Sequence, residues 1–325
     1  MDDLIYEEYA DAGEKRSARI PRKTPRKKMS RRARNEEICG TIMAIIPVVG
    51  RLLFSLIPIA LAIVMAFYQM KTPVSFTGAK FVGFDNFVKI FADANFTTSL
   101  LNTLVYAITL PVSLALALGI ASVLNSDLVQ TRAKGVFRVI LFLPFICSTI
   151  AIVYVWKWMY DANYGIINTL LGTDIAWLKS SPWLFRISII VMMVWSTTGY
   201  KIVLLAASLT SVNASYYEAA EIDGAGPLQK FLHITVPAVS PTTFFLLITG
   251  LVSIFQMFSE TQVMDPTGGS SVGMAGLTVV FYLYRYGFNY NQMGMACAAA
   301  FVLSLIILAI TVLQFKLSKR WVRYD

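Results

Sequence analysis

Long uncharged apolar runs are the feature that most constrains this chain. They recur along the sequence at lengths of about 15–25 residues, and a helix needs about 20 apolar residues to cross the hydrocarbon core of a bilayer. Of the 325 residues, 56% are apolar and 14% are charged, whereas about a quarter of a soluble domain is charged. The short alternating segments of a membrane β-barrel are not visible. The sequence therefore predicts an all-α integral membrane protein.

The positions of these runs predict six membrane-spanning helices within a domain that covers residues 38–325. Their approximate ranges are 41–68, 100–124, 136–160, 186–209, 241–263 and 294–315. Cytoplasmic loops are enriched in Lys and Arg, and 20 of the 28 such residues fall on one side of this arrangement. That side holds both termini, so we expect both to be cytoplasmic. Most of the bias comes from residues 1–51.

The first 37 residues are predicted to form a basic cytoplasmic tail. The sequence opens acidic, with "MDDLIYEEYADAGE", and then becomes strongly basic, with "KRSARIPRKTPRKKMSRRAR". It lacks the apolar stretch and small-residue cleavage site of a signal peptide. Next to a membrane span, we expect the basic run to bind anionic lipid. Nucleic-acid binding is the alternative for such a run.

Motifs for catalysis or metal binding are not found in the sequence. Cys39, Cys147 and Cys297 are far apart and show no metal spacing, so we expect small buried hydrophobes. His233 is the only histidine, which argues against a metal site. The sequence has no Walker-type phosphate-binding loop and no nucleophile constellation. We therefore expect a chain that is not an enzyme and binds no cofactor itself.

One structured polar loop, residues 211–239, separates the fourth and fifth predicted spans. "SYYEAAEI" predicts a short helix with Ser215 as its cap and Glu218 as the capping-box partner. Gly224 or Gly226 can supply a left-handed C-terminal cap, and Pro227 suits the first turn of a second helix. Pro237 is expected to end that helix. The pattern indicates a stiff elbow that could transmit force from a cytoplasmic partner. An amphipathic hairpin lying on lipid is the alternative.

Polar side chains within two predicted spans are candidates for a substrate pathway, because such residues normally face the interior of a helix bundle. Hydroxyls, amides and aromatic faces suit a neutral sugar. Ordinary hydrogen bonding between helices is the alternative, at ~0.6 kcal/mol per pair. The candidates are Ser253, Gln256 and Glu260 in the fifth span, at positions i, i+3 and i+7, and Trp195, Thr197, Thr198 and Tyr200 in the fourth.

Lys201 is an unusual charge inside the fourth span. Its first interpretation is snorkelling of the ammonium group toward the cytoplasmic side. The alternatives are pairing with an acidic residue of a partner subunit and contact with an anionic substrate.

The loop sequence "EAAEIDGAGPLQKFLHITVPAVSP" resembles the EAA loop of ABC-importer permeases. In that family the loop is a coupling helix that docks into a cleft of a cytoplasmic ATPase. The resemblance implies that Glu218 makes the polar contact, that Ala219 and Ala220 form a close-packing face, and that Gly224 makes the turn. The coupling residues implied are Glu218, Ala219, Ala220, Asp223, Gly224 and Ala225.

The resemblance extends from about residue 38 to the end and points to the carbohydrate-uptake branch, of the maltose and glycerol-phosphate type. "FVGFDNFVKIF", "LLNTLVYA" and "VWSTTGYKIVLLAASLTSV" carry it. In the outer loop "PTGGSSVGMAG", Ser270 stands where that branch usually has proline. The resemblance implies the six-helix type I importer fold and a subunit that moves a sugar or oligosaccharide across a prokaryotic cytoplasmic membrane.

The same resemblance implies several partners. They are a second homologous permease, an ATPase dimer that uses ATP and Mg, and an extracellular or periplasmic solute-binding protein. Two alternatives stay open at this point. One is an ABC permease for a phosphorylated or acidic solute, for which Lys201 is the hint. The other is a membrane scaffold or regulator in which the basic tail is the active element and no transport occurs.

Overall fold

Helices make up nearly all of the regular structure in the computed structural model, which describes residues 31–72, 78–125 and 131–323. The described residues divide into two compact units between Ile59 and Ala60. Most of the predicted basic tail, including its acidic start, lies outside the described residues.

The first half of the chain contains a small hairpin between its long helices. Helix α1 spans Arg31–Arg51 and continues through a π-helical turn, Leu52–Leu56, into α2, Ile57–Met65. Strands β1 and β2 pair antiparallel, with Tyr68 opposite Phe81. The elements that follow are β1 Tyr68–Gln69, β2 Lys80–Phe81, α3 Asp85–Ala92, α4 Ala94–Tyr106, α5 Thr109–Asn125, α6 Thr131–Ile146, α7 Thr149–Met159 and α8 Ile166–Leu171.

The second half alternates long helices with short ones. Helix α9 is the longest. Ser181 caps its N-terminus by accepting a hydrogen bond from the Leu184 amide at 3.2 Å, and Pro182 fits its first turn. The elements are α9 Pro182–Leu209, α10 Ala214–Ile222, α11 Pro227–Lys230, a π turn Phe231–Thr235, α12 Val236–Ala238, α13 Ser240–Phe255, α14 Ser259–Met264, a 3-10 turn Ser270–Val272, α15 Val279–Tyr284, a π turn Arg285–Asn289 and α16 Met293–Ser318.

Two apolar clusters hold the second unit together. The larger one joins α4, α5, α7, α9 and α13 around residues such as Tyr106, Phe185 and Ile202. The other packs the end of α2 and helix α3 against α15 and α16 around Ile90, Tyr282 and Ala298. Small residues bring backbones close at several points. A Cβ on Gly199 of α9 would overlap the carbonyl oxygen of Leu141 in α6.

Four described helices are long and apolar enough to cross a membrane, and there are six spans if each of two bent helix pairs counts as one. The first, second, fourth and sixth predicted spans correspond to the helical stretches Asn35–Met65, Ala94–Asn125, Pro182–Leu209 and Met293–Ser318. The third is not one rod, because α6 and α7 meet at 96°. The fifth ends at Phe255 and not near Val263, and it is bent by 66° where α12 meets α13.

The described cysteines only partly match the prediction of buried hydrophobes. Cys297 is buried in the second cluster, whereas Cys39 and Cys147 are exposed. In a membrane chain such exposed positions on the spans are compatible with small apolar side chains, because lipid replaces water around them.

Candidate functional site

The loop between α9 and α13 forms a hairpin of short helices, as its sequence predicts, but the residue that caps the first helix differs from the prediction. Asn213 caps α10, because its side-chain oxygen accepts a hydrogen bond from the Ser215 amide at 3.0 Å. Ser215 therefore lies inside the first turn, and the predicted capping box with Glu218 is wrong. An Asn at the N-cap is as favourable as a Ser, and Asn213 and Ser215 are only two positions apart in the sequence.

Gly224 makes the turn between the two helices of the hairpin. Its φ of +76° lies in the left-handed region that suits glycine, and the Ala225 amide donates to the Ala220 carbonyl at 2.9 Å across the turn. Gly226 then caps α11, and its amide donates to the Gln229 side chain at 2.9 Å. Pro227 occupies the first turn as predicted. Helix α12 continues one residue past Pro237, to Ala238, and ends at its cap residue Val239.

The hairpin carries large apolar side chains that the rest of the described chain leaves exposed. Ile222 is 87% exposed, Leu228 69% and Tyr216 63%, and all three lie outside the membrane-spanning α9 and α13. Large apolar side chains that stay exposed outside the membrane are candidates for burial against a partner. Glu218 and Ala219 are exposed on the same helix, α10, whereas Ala220 and Ala225 are half-buried.

An ion pair links the two helices of the hairpin, because Lys230 Nζ lies 3.1 Å from Glu221 Oε2. A cavity of about 410 Å³ lies between the helices, and its lining includes Asp223, Gly224 and His233. His233 is exposed and its Nδ1 lies 3.1 Å from the Gln229 carbonyl oxygen. The six predicted coupling residues therefore lie along α10 and around the Gly224 turn.

Three predicted pathway residues come together in one pocket of about 270 Å³. Ser253, Gln256 and Glu260 line it, and they share it with Thr149 and Ser259. The predicted periodicity placed them on one continuous helix. In the structure α13 ends at Phe255, Gln256 follows it, and Glu260 belongs to α14. The break keeps the three side chains on one side and adds Thr149, the first residue of α7, which the sequence did not indicate.

The four predicted pathway residues of the fourth span point in different directions along α9. Trp195 is 49% exposed and its ring lies edge-on to Trp156, 5.7 Å away. Tyr200 stacks on Phe145 at 4.5 Å. Thr198 donates to the carbonyl of its own helix at Val194. None of the four lines the pocket that holds Glu260.

Lys201 does not extend toward the membrane surface. It is 6% exposed, and its ammonium group donates to Ser113 Oγ at 2.6 Å and to Thr197 Oγ1 at 2.9 Å. These bonds hold it between α5 and α9. The snorkelling interpretation is therefore wrong, because two hydroxyls inside the bundle supply the acceptors that water would otherwise provide.

A polar anchor on α4 was not indicated by the sequence. Asn102 is fully buried, and its amide donates to the carbonyls of Met274 and Leu277 at 2.7 and 2.9 Å. Its oxygen accepts two hydrogen bonds from Arg186 of α9, at 2.9 and 3.1 Å. Tyr106 donates to Ala275 at 2.8 Å. These bonds hold the loop "TGGSSVGMAG" against the spans.

A second anchor joins the α3–α4 connection to α15. Asp93 caps α4 through Asn95 and accepts hydrogen bonds from both Tyr282, at 3.0 Å, and Tyr286. Burial and the Asp93 carboxylate raise the pKa of Tyr282 and of Tyr286 above the usual value of a phenol. Both hydroxyls therefore stay protonated and remain donors at neutral pH.

Comparison with known proteins identifies the family. Residues 110–323 match the family of binding-protein-dependent transport system inner membrane components. The sn-glycerol-3-phosphate transport system permease protein UgpA of Yersinia pestis bv. Antiqua (strain Antiqua) is 30% identical, over 79% of this chain and 87% of UgpA. The lactose transport system permease protein LacF of Rhizobium radiobacter is 32% identical, over 71% of this chain and 77% of LacF.

A solved structure shares the fold. The crystal structure of a bacterial alginate ABC transporter, in complex with an alginate pentasaccharide-bound periplasmic protein, has a chain that superposes with a TM-score of 0.74. The superposition covers 88% of this chain and 96% of the alginate transporter chain, and the two are 24% identical in sequence.

The chain is therefore a multi-pass prokaryotic membrane permease with the six-helix fold of type I ABC importers. It belongs to the family of binding-protein-dependent transport system inner membrane components, and as a transport subunit it is not itself an enzyme. A scaffold or regulator without transport, the alternative built on the basic tail, does not fit this membership.

Proposed function

We propose that this chain is a permease subunit of an ATP-driven, binding-protein-dependent ABC importer that moves a sugar or oligosaccharide into the cell. The observation that carries the proposal is the exposed hairpin of α10 and α11, because short connections join it to the spans on both sides. The lactose relative supports a saccharide cargo. A pocket with hydroxyl and amide groups beside Phe258 suits such a cargo.

The proposal includes a cytoplasmic ATPase dimer that binds α10. Fully burying a side chain such as that of Ile222 contributes about 1.5–3 kcal/mol, and Glu218 adds a polar contact on the same helix. Glu218, Ala219, Ala220, Asp223, Gly224 and Ala225 form the proposed contact. ATP and Mg would be used by the ATPase, and this chain would bind no cofactor itself.

The mechanism follows from the connections of the hairpin. A loaded solute-binding protein docks on the outer loops, and ATP closes the ATPase dimer and pulls α10. Only a short turn separates the end of α9 from Asn213, and α11 leads through α12 into α13. A pull on the hairpin would therefore move the fourth and fifth spans together and alternate access to a central cavity. The second homologous permease would complete that cavity.

The proposed orientation has both termini in the cytoplasm. The α10–α11 hairpin lies between the fourth and fifth spans, so with an even number of preceding spans it is on the same side as the N-terminus. Residues 1–37 would form the cytoplasmic tail and residues 38–325 the membrane domain, with the coupling loop at 211–239. An N-terminus located outside the cell would contradict this arrangement.

A phosphorylated or acidic cargo is the second candidate. The relative whose name specifies sn-glycerol-3-phosphate favours it. A cavity of about 770 Å³ beside the β1–β2 hairpin also favours it, because Lys71, Lys80 and Lys89 line this cavity. Lys89 is already paired with Asp85 at 2.6 Å. These lysines could equally receive acidic side chains of a solute-binding protein.

Glu218→Lys tests the coupling assignment. A reversed charge on the exposed face of α10 should weaken binding of the ATPase at least tenfold and abolish uptake, because the substitution removes the proposed carboxylate contact, and a hydrogen bond to a charged group is worth about 1.5–3 kcal/mol. Pull-down of the ATPase by the tagged permease measures the binding. Glu37→Lys, an exposed residue far along the chain, is the matched control. Unaltered ATPase binding and uptake in Glu218→Lys would show the assignment to be wrong.

A further inference from the structure

Among the described residues, Glu260 is the one charged side chain that lines the pocket at the end of α13. Its lining combines hydroxyls of Thr149, Ser253 and Ser259 with the Gln256 amide and the Glu260 carboxylate. No Lys, Arg or His of the described chain lines it. A charge on this wall is therefore negative.

The Glu260 carboxylate forms no ion pair within the described chain. The ion pairs formed there involve Glu36, Asp85 and Glu221. Burial raises the pKa of the Glu260 carboxyl above its usual value, so its negative charge develops only above that raised pKa. Lys157 of α7 packs against the same short helix, but its ammonium group donates to the Val263 carbonyl at 3.1 Å. Val263 lies three positions after Glu260, so Lys157 is about one helical turn away from Glu260 and forms no ion pair with it.

Lys201, which the sequence suggested as a contact for an anionic cargo, is directed elsewhere. Lys201 donates to Ser113 and Thr197 between α5 and α9 and does not line the pocket. The residue by which the sequence suggested an acidic cargo, Lys201, is therefore not part of this pocket.

We propose that Glu260 gives this chain's wall of the cargo route a negative potential, which admits neutral or amino sugars and disfavours phosphorylated or uronic ones. The inference rests on the proposed function, because it assumes that the pocket belongs to the cargo route. It separates this chain from the sn-glycerol-3-phosphate and alginate systems, whose names specify anionic cargoes, and groups it with the lactose system.

A charge-selective labelling experiment measures this potential without knowledge of the cargo. Gln256→Cys places a thiol in the pocket, in a background with Cys39→Ser, Cys147→Ser and Cys297→Ala. The complete transporter in native membrane vesicles is treated with two methanethiosulfonates of similar size. One carries a trimethylammonium group and the other a sulfonate, and the ratio of their rates at residue 256 reports the local potential. Ser253→Cys provides a second position if Gln256→Cys does not assemble.

We expect the cationic reagent to be favoured about tenfold relative to the ratio for free cysteine, which corresponds to one charge acting over ~10 Å of partly hydrated cavity. Adding Glu260→Gln should remove that preference. Asp174→Asn removes a carboxylate outside the pocket and should leave the ratio unchanged.

The outcomes separate the two proposals. A thiol that reacts with both reagents at a ratio insensitive to Glu260→Gln would overturn the charge selection and leave the pocket in a water-filled route. Thiols at 256 and 253 that react with neither reagent in an assembled, transporting complex would remove the pocket from the route, and the charge inference would fall with it.

Discussion

At the scale of single residues, Lys201 shows how a membrane protein can hold an amine inside a helix bundle. An ammonium group in an apolar interior is costly unless it is hydrogen-bonded. Ser113 and Thr197 accept hydrogen bonds from it. Each hydroxyl also donates to a backbone carbonyl of its own helix, Ser113 to Leu110 and Thr197 to Met193. The hydroxyls are therefore satisfied with or without the lysine, whereas the lysine depends on them.

This asymmetry predicts that Ser113→Ala destabilises the protein more than Lys201→Met does. Ser113→Ala leaves a buried amine short of an acceptor and should cost about 1–3 kcal/mol, which lowers the melting temperature by about 2–6 °C in a chain of this size. Lys201→Met keeps the volume and removes the desolvated polar group, so its melting temperature should match or exceed that of the wild type. Thermal unfolding of the purified transporter measures both, and the reverse order would contradict this account of Lys201.

At the scale of elements, close backbone contact fixes the arrangement of α6 and α9. At Gly199 a Cβ would overlap the Leu141 carbonyl oxygen and would lie 2.6 Å from its carbonyl carbon. These are backbone atoms, so a rotamer change cannot relieve the overlap. The bend of 96° between α6 and α7 means that this contact positions only the first half of the third span.

Gly199→Ala and Gly119→Ala should therefore have opposite effects. Gly199→Ala forces α6 and α9 apart and should destabilise the protein by at least ~2 kcal/mol. Gly119 lies within α5, and a Cβ there would meet no other atom of the described chain within 4 Å. Gly119→Ala should therefore stabilise by up to ~1 kcal/mol through helix propensity. Denaturation midpoints of the two variants in the same detergent make the comparison, and equal shifts would refute the role given to the Gly199 contact.

At the scale of the whole molecule, family membership implies an assembly. Affinity purification of this chain from its native membrane in mild detergent, followed by mass spectrometry, should recover an ATPase, a second six-span permease and a solute-binding protein. The ATPase would cover the exposed apolar residues of α10 and α11. The second permease would cover the pocket on one side of α13. Recovery of the chain without any of the three would contradict the proposed importer.

The sequence by itself determined the membrane class, the approximate spans and the hairpin of short helices, because these depend on local composition. Hydrocarbon thickness sets the length of an apolar run, and Gly224 with Pro227 specifies a turn wherever the hairpin lies. The sequence also suggested Ser253, Gln256 and Glu260 as one set, although by a helix that in fact ends at Phe255.

Only the tertiary structure decided the direction of Lys201, the buried Asn102–Arg186 anchor and the place of Thr149. All three depend on residues far apart in the chain. Ser113 and Lys201 are 88 positions apart, Asn102 and Leu277 are 175 apart, and Thr149 shares its pocket with Ser253. Periodicity shows which face of a helix a residue occupies. It does not show which neighbouring helix packs on that face, and the partner on that face determines whether a polar residue binds cargo or holds two helices together.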